Sequence, residues 1–279
     1  MKGKADRAER RRRFREQVRE NPRLAAVYFI LRLLVILMLV AQVFNRNFEN
    51  VFLCVLTLFL FTLPSFLERK IRIDIPNTLE IIILLFIFAA EILGEIRAYY
   101  VTFPYWDTML HTLNGFLCAA IGFSLLDILN RDERLTLSLS PLYLALVAFC
   151  FSMTIGVLWE FFECTMDQLF LLDMQKDTIV HSIGSVTLDP KGGNNPTAIH
   201  NITDVIVVTA DGSQIPLGLG GYLDIGILDT MKDLFVNFIG AVVFSFIGYF
   251  YVKNRGKGRF AKRFIPKALP QEPAKKETE

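Results

Sequence analysis

WDTMLHTLNGFLCAAIGFSLLDIL, residues 106–129, opens on Trp106, Asp107 and His111 and then stays apolar for most of its length. Asp107, His111 and Asn114 recur at helical spacing, so one helix face carries a carboxylate, an imidazole and an amide. At 1.5 Å per residue the run is long enough to cross a hydrocarbon core of ~30 Å. It therefore reads as a membrane helix with a polar stripe at its mouth. Of the 3 histidines, His111 alone lies in such a run. Two later stretches repeat the design at other helix ends: WEFFE from Trp159 to Glu163, and DTMKD from Asp229 to Asp233 with Asn237 a turn on.

Working outward, the 279 residues are 53% hydrophobic with 25 Phe, and long uninterrupted apolar runs exclude an ordinary soluble domain. Net charge is only +2, but 10 Lys/Arg fall in the first 23 residues and 9 more between Lys253 and Lys276. Both basic ends border apolar spans, so they read as topogenic signals and not as nucleic-acid arms. The 4 cysteines, Cys54, Cys118, Cys150 and Cys164, lack paired or metal-type spacing and read as small apolar groups.

The fold class that follows is an all-α polytopic membrane protein with six transmembrane helices and a small β-hairpin-containing outer loop. The spans expected are 24–44, 48–67, 78–96, 107–129, 141–163 and 229–252, the fifth continuing as a helix towards Leu172. The organisation is then a basic arm (1–23), five spans (24–163), a loop (164–228), a sixth span (229–252) and a basic tail (253–279) that reads as disordered. In the loop, 178–188 and 198–209 read as short strands, and Asp211-Gly212 as a tight hairpin turn. Arg32 lies roughly 12 Å into the first span, where it either snorkels or pairs inside the bundle.

Clustered Lys/Arg in the arm, at 68–72, at 130–134 and in the tail puts those segments inside a bacterial cytoplasmic membrane, with both termini cytoplasmic. The third and fifth spans then run outward, and the fourth and sixth run inward. Asp107, His111, Glu160, Glu163, Asp229 and Asp233 consequently share the outer leaflet, with Asn114, Asp167 and Asn237 as supporting polar groups. Acids facing lipid are costly, so each stripe turns into the bundle.

Other readings stand beside this one. Asp107 and Asp229 serve equally well as helix N-caps. Asn114 and Asn237 suit interhelical hydrogen bonding, and Gly115 and Gly240 close packing. Trp106 and Trp159 read as interfacial anchors. So many carboxylates in a partly desolvated cup, with Lys232 the nearest cationic side chain, require either protons or a bound cation. His with carboxylates suits Zn²⁺, Mn²⁺ or Fe²⁺, while carboxylates alone suit Mg²⁺ or Ca²⁺, so the identity of a divalent metal stays open.

On WDTMLHTLNGF from Trp106, WEFFE from Trp159 with Asp167 and Met174-Gln175-Lys176, and DTMKDLFVNFIGA from Asp229, the chain resembles the YjdF-like family of bacterial inner-membrane proteins. More distantly, Asp107/His111, Glu160 and Asp233/Asn237/Gly240 are similar to elements of the VanZ-like family, although a long insert between Met174 and Asp229 departs from that pattern. The resemblance implies a polytopic envelope protein and supplies no reaction.

Three functions are compatible with these residues. The first is a site for a divalent cation and an envelope lipid or lipid-linked headgroup; in a catalytic version His111 or Glu160 is the general base and the other acids are ligands. The second is a structural or accessory protein whose acids form a buried polar network. The third is a proton- or cation-coupled transporter.

Overall fold

The computed structural model describes residue 19 and residues 21–71, 73–130, 139–254 and 258–268. Residues 1–18 of the expected basic arm, most of the 130–134 connector and the last part of the tail lie outside the described residues.

Five helices are long and apolar enough to cross a membrane: Pro22–Phe44, Phe48–Glu68, Trp106–Asn130, Pro141–Phe170 and Ile227–Lys253. The first is α1 (Pro22–Phe44). The second consists of α2 (Phe48–Leu60) and the beginning of α3 (Leu63–Ile71), separated by a short turn. The expected third span takes another form. It is α4, Asn77–Phe88, which passes directly into a π-helix at Ala89–Ile96. The change in hydrogen-bond pattern at Ala89 divides an apolar run that the sequence presents as one helix, so the expected six long spans become five among the described residues. A helical turn, α5 (Tyr99–Thr102), leads to α6 (Trp106–Asn130), then α7 (Pro141–Phe170) and α8 (Ile227–Lys253).

The chain divides into two compact units, Met1–Thr154 with Val236–Glu279, and Ile155–Phe235. The first unit is built on two apolar clusters. In one, Leu31 and Val35 of α1 meet Cys54 of α2, Leu84 and Ile87 of α4, and Ile92 of the π-helix. In the other, Leu117, Ala120 and Phe123 of α6 meet Leu144 and Ala148 of α7 and Ala241 and Phe244 of α8. The alanines keep these backbones close, as membrane helices require when they gain no hydrophobic driving force from lipid. The outer faces are apolar too: Phe29, Leu37, Phe52 and Phe59 are exposed, which suits hydrocarbon surroundings.

Contacts between α6 and α8 advance together along both chains, from Gly115 against Asn237, through Thr112 and Phe116 against Gly240, to Phe123 against Gly248. The two helices thus run in the same direction. Strand β1 (Ile73–Asp74), after α3, pairs antiparallel with β8 (Lys267–Ala268), the eighth and last strand, beyond α8. Over residues 258–268 this corrects the reading of the tail as disordered. Ala261, Phe264 and Ile265 are buried in the core, apolar residues that the surrounding Lys and Arg outweigh in composition.

Arg32 is exposed on α1 and contacts neighbouring groups on that surface. Its guanidinium stacks 4.9 Å above the Tyr28 ring and donates to the Phe61 carbonyl at 3.5 Å. Tyr28 in turn donates to the buried Glu80 carboxylate at 2.6 Å, tying α1 to α4.

The second unit contains three antiparallel strand pairs. They are β2 (Ile179–Val180) with β7 (Tyr222–Leu223), β3 (Ser182–Ser185) with β4 (Thr197–His200), and β5 (Ile206–Val208) with β6 (Gln214–Pro216). The strand expected over 178–188 breaks at His181 and ends in a 3-10 turn, Val186–Leu188. The one expected over 198–209 is interrupted after Asn201, which adopts φ 60°. Asp211 and Gly212 lie in the connection between β5 and β6, but the turn there is centred on Ala210 and Asp211: the Gly212 amide, at φ 83°, donates to the Thr209 carbonyl at 2.9 Å.

Candidate functional site

In the first unit the site begins at α6. Trp106 starts the helix, and its indole NH donates to the Ala89 carbonyl of the π-helix at 3.3 Å, while its ring stands edge-on to Tyr99 at 4.9 Å. Asp107 lies inside the first turn and not at the cap, where its charge still favours the helix dipole. One turn on, the His111 Nε2 lies 3.3 Å from Asp107 Oδ1, and both side chains are largely shielded from solvent. A carboxylate against one ring nitrogen fixes the imidazole's orientation, the arrangement that general bases and metal-bound histidines share.

Asn114 and Asn237 take the hydrogen-bonding role that their placement suggested. Asn114 Nδ2 donates to Asn237 Oδ1 at 3.3 Å, and Asn237 Nδ2 reaches the Ser152 carbonyl at 3.5 Å. The Ser152 hydroxyl donates to the Gly115 carbonyl at 2.7 Å, which joins α6, α7 and α8. Gly115 and Gly240 are required by distance. A Cβ on Gly115 would stand 2.1 Å from the Asn237 carbonyl oxygen, and one on Gly240 2.0 Å from that of Thr112.

In the second unit Glu160, Glu163, Asp229 and Asp233 are all buried. Glu160 and Glu163 are well inside α7, which continues to Phe170. Glu163 accepts the indole NH of Trp159 at 2.8 Å. Trp159 thus holds an acid in place as well as offering an aromatic face. Lys232 Nζ lies 2.6 Å from Asp229 Oδ1 and 3.6 Å from Asp233 Oδ1. Asp229 Oδ2 also accepts the Lys176 amide at 2.9 Å.

That amide belongs to a segment fastened by acids along its length. Asp167 accepts the amides of Met174 and Gln175 at 2.7 and 2.8 Å, and Asp224 that of Thr178 at 2.6 Å. Asp224 also caps the first turn of α8 through the Leu228 amide at 2.9 Å. Burial works against the charge on Asp224, but the amides of Thr178, Leu228 and Gly226 outweigh it and hold the carboxyl below its ordinary range. Sequence reasoning missed Asp224. Its signal is an acid two residues before Gly226, which opens a helix at φ 81° and packs against Gln175, where a Cβ would meet that side chain at 2.6 Å. His181 and His200 are exposed, beside the Ile202 carbonyl and the Ser182 hydroxyl respectively.

Asp107, His111, Glu160, Glu163 and Asp233 are residues of the kind that can hold a metal ion. The model of the family described as predicted membrane protein, DUF2238, matches residues 27–254. The chain belongs to this family. The DUF2238 match takes in every residue of the candidate site and is consistent with the YjdF-like resemblance; it gives no support to the VanZ-like one. No curated protein and no solved structure matches the chain. DUF2238 membership establishes a multi-pass membrane protein and leaves the chemistry to be argued from the side chains.

Proposed function

We propose that this DUF2238 protein holds a divalent cation in one leaflet with Asp107, His111, Glu160, Glu163 and Asp233, and that the cation and its ligands bind an envelope lipid or lipid-linked headgroup. The observation that carries the reading is the burial of four carboxylates in the second unit, Glu160, Glu163, Asp229 and Asp233. Buried acids in such number need neutralising charge. Lys232 is one such charge, beside Asp229 and Asp233. Asp229 was expected among the ligands. With one oxygen on the Lys232 ammonium and the other on the Lys176 amide, its role in the proposal is to fasten the 173–178 segment. In the catalytic form His111, oriented by Asp107, or Glu160 is the base that activates the attacking group.

Topology supports a shared leaflet. We read six crossings, with α4 and its π-helix as the third. Strands β1 and β8 are hydrogen-bonded, so the chain returns to the same side between them. With α6, α7 and α8 each crossing once, only a crossing by α4 and the π-helix makes the number even. The parallel course of α6 and α8 agrees. The Lys/Arg asymmetry supports both termini in the cytoplasm and the strand pairs outside a bacterial inner membrane.

Elemental analysis of the purified protein tests the cation. Wild type is expected to retain a divalent metal in stoichiometric amount, with Asp107→Asn and Asp233→Asn each losing most of it. A metal-free wild type, prepared without chelator in metal-supplemented medium, sinks the proposal. The structural reading is favoured by the Asn114–Asn237–Ser152–Gly115 chain of hydrogen bonds, which joins three helices without any ligand. It predicts instead that the same variants lower the melting temperature and leave a cellular phenotype intact.

A further inference from the structure

A recess of about 470 Å³ opens along the first unit between α6 and α8. Thr108, Thr112 and Phe116 form one wall and Gly240 and Val243 the other, with Tyr105 at one end. Its inner edge is Gly240, where the helices meet closely enough that a Cβ would stand 2.0 Å from the Thr112 carbonyl oxygen. Phe116 is braced from behind, edge-on to Phe244 at 5.1 Å and to Phe264 at 5.2 Å. The threonines add little polarity, since the Thr112 hydroxyl is turned onto the Thr108 carbonyl of its own helix at 2.7 Å. The recess is hydrocarbon-lined. Its open side is continuous with the exposed apolar surface of the same helices, Met109, Ile239 and Phe246.

Dimensions select the occupant. From Tyr105 to Phe116 a helix rises roughly 16 Å, about half of the ~30 Å hydrocarbon core, which is the depth of one leaflet. A volume of about 470 Å³ spread along that length gives a cross-section of roughly 29 Å². A packed helix, about 10–12 Å across, is too wide for it. A single hydrocarbon chain is not. The aromatic end, Tyr105 and Trp106, is of the type that sits at headgroup level, and Asp107 and His111 follow it directly.

We infer that this recess seats one acyl chain of a bilayer phospholipid, with the headgroup at its Tyr105 end, next to Asp107. The headgroup half rests on the site proposed above; the chain half stands on the recess alone. The structure thereby makes the lipid a held ligand and not passing solvent, because a chain lying between α6 and α8 has lost its freedom to exchange with its neighbours.

Photolabelling of the full chain tests this. The protein is reconstituted in phosphatidylglycerol vesicles that contain a trace of phosphatidylglycerol bearing a diazirine on one acyl chain, in the presence of EDTA. It is then irradiated, and the adducts are mapped by mass spectrometry. Adducts at Thr108, Met109, Thr112 and Val243 are expected to exceed several-fold those at Ile239 and Phe246, which are exposed outside the recess. Val243→Trp, which fills the recess, is expected to abolish that excess and leave Phe246 labelled as before. Uniform labelling means contact with bulk lipid only and overturns the inference, as does a recess free of label in a protein that runs as a dimer. The wild-type ratio decides alone if Val243→Trp fails to fold. Chelator is present throughout, so failure of the metal proposal leaves this result intact, and the reverse also holds.

Discussion

At the residue scale, two glycines set the distance between α6 and α8. Overpacking a fitted contact costs about 1–3 kcal/mol, and at Gly115 and Gly240 the obstacle is backbone, which cannot swing aside. Gly115→Ala and Gly240→Ala should each lower the melting temperature in detergent by several degrees. Gly184→Ala, with nothing within 4 Å of the added Cβ, should leave it unchanged. Equal shifts for all three would show that helix separation is not what these glycines serve. The sequence made both positions visible as packing candidates, since each lies a residue or three beyond an asparagine in an apolar run. It also placed Asp107 beside His111, because i and i+4 on a helix meet whatever the tertiary fold. Tyr28 with Glu80 was beyond its reach: the two are 52 residues apart, and a lone acid near the start of an apolar run reads as a helix-terminal charge.

At the element scale, the β5–β6 turn is tied by one carboxylate. The Thr209 hydroxyl, then the amide and hydroxyl of Ser213, hold the Asp211 carboxyl down at about 2. A depressed acid favours the folded turn most when ionised. Its contribution is therefore complete above the ordinary Asp value of about 3.9 and fades as pH falls through about 2. Amide exchange at Ser213 and Gly212 should quicken across that window in wild type, and Asp211→Ala should exchange quickly at every pH. A wild-type rate that follows only the intrinsic pH dependence of exchange would remove Asp211 from this role. Asp-Gly marked the connection, although not which residues centre its turn, since the Gly212 amide bonds the Thr209 carbonyl. The π-helix was not legible. Nothing in AAEILGEI distinguishes i→i+5 from i→i+4 bonding, and the choice at Ala89–Ile96 accompanies a tertiary contact, the Trp106 indole on the Ala89 carbonyl.

At the scale of the molecule, apolar run length and Lys/Arg asymmetry gave the membrane class directly, because both reflect the solvent and not the packing. The folded tail escaped notice, since its few apolar residues find partners only once α8 has been placed. That tail makes the topology testable. Single cysteines at Asp74 and Lys267, paired in β1 and β8, should react with a membrane-impermeant maleimide from the same side. In intact cells neither should label until the membrane is opened. Labelling of one without the other would break the six-crossing reading, and labelling of both in intact cells would invert its orientation.

The Asn114–Asn237 hydrogen bond spans 123 residues of chain. Synthesis adds ~5–20 residues per second, so α6 leaves the translocation machinery some 6–25 s before α8 exists to receive it. For that interval the Asn114 amide and the bare Gly115 ridge face whatever the insertion apparatus or the bilayer provides. The arrival of α8 is therefore the step at which Asn114 gains its Asn237 partner and the Gly115 ridge is covered.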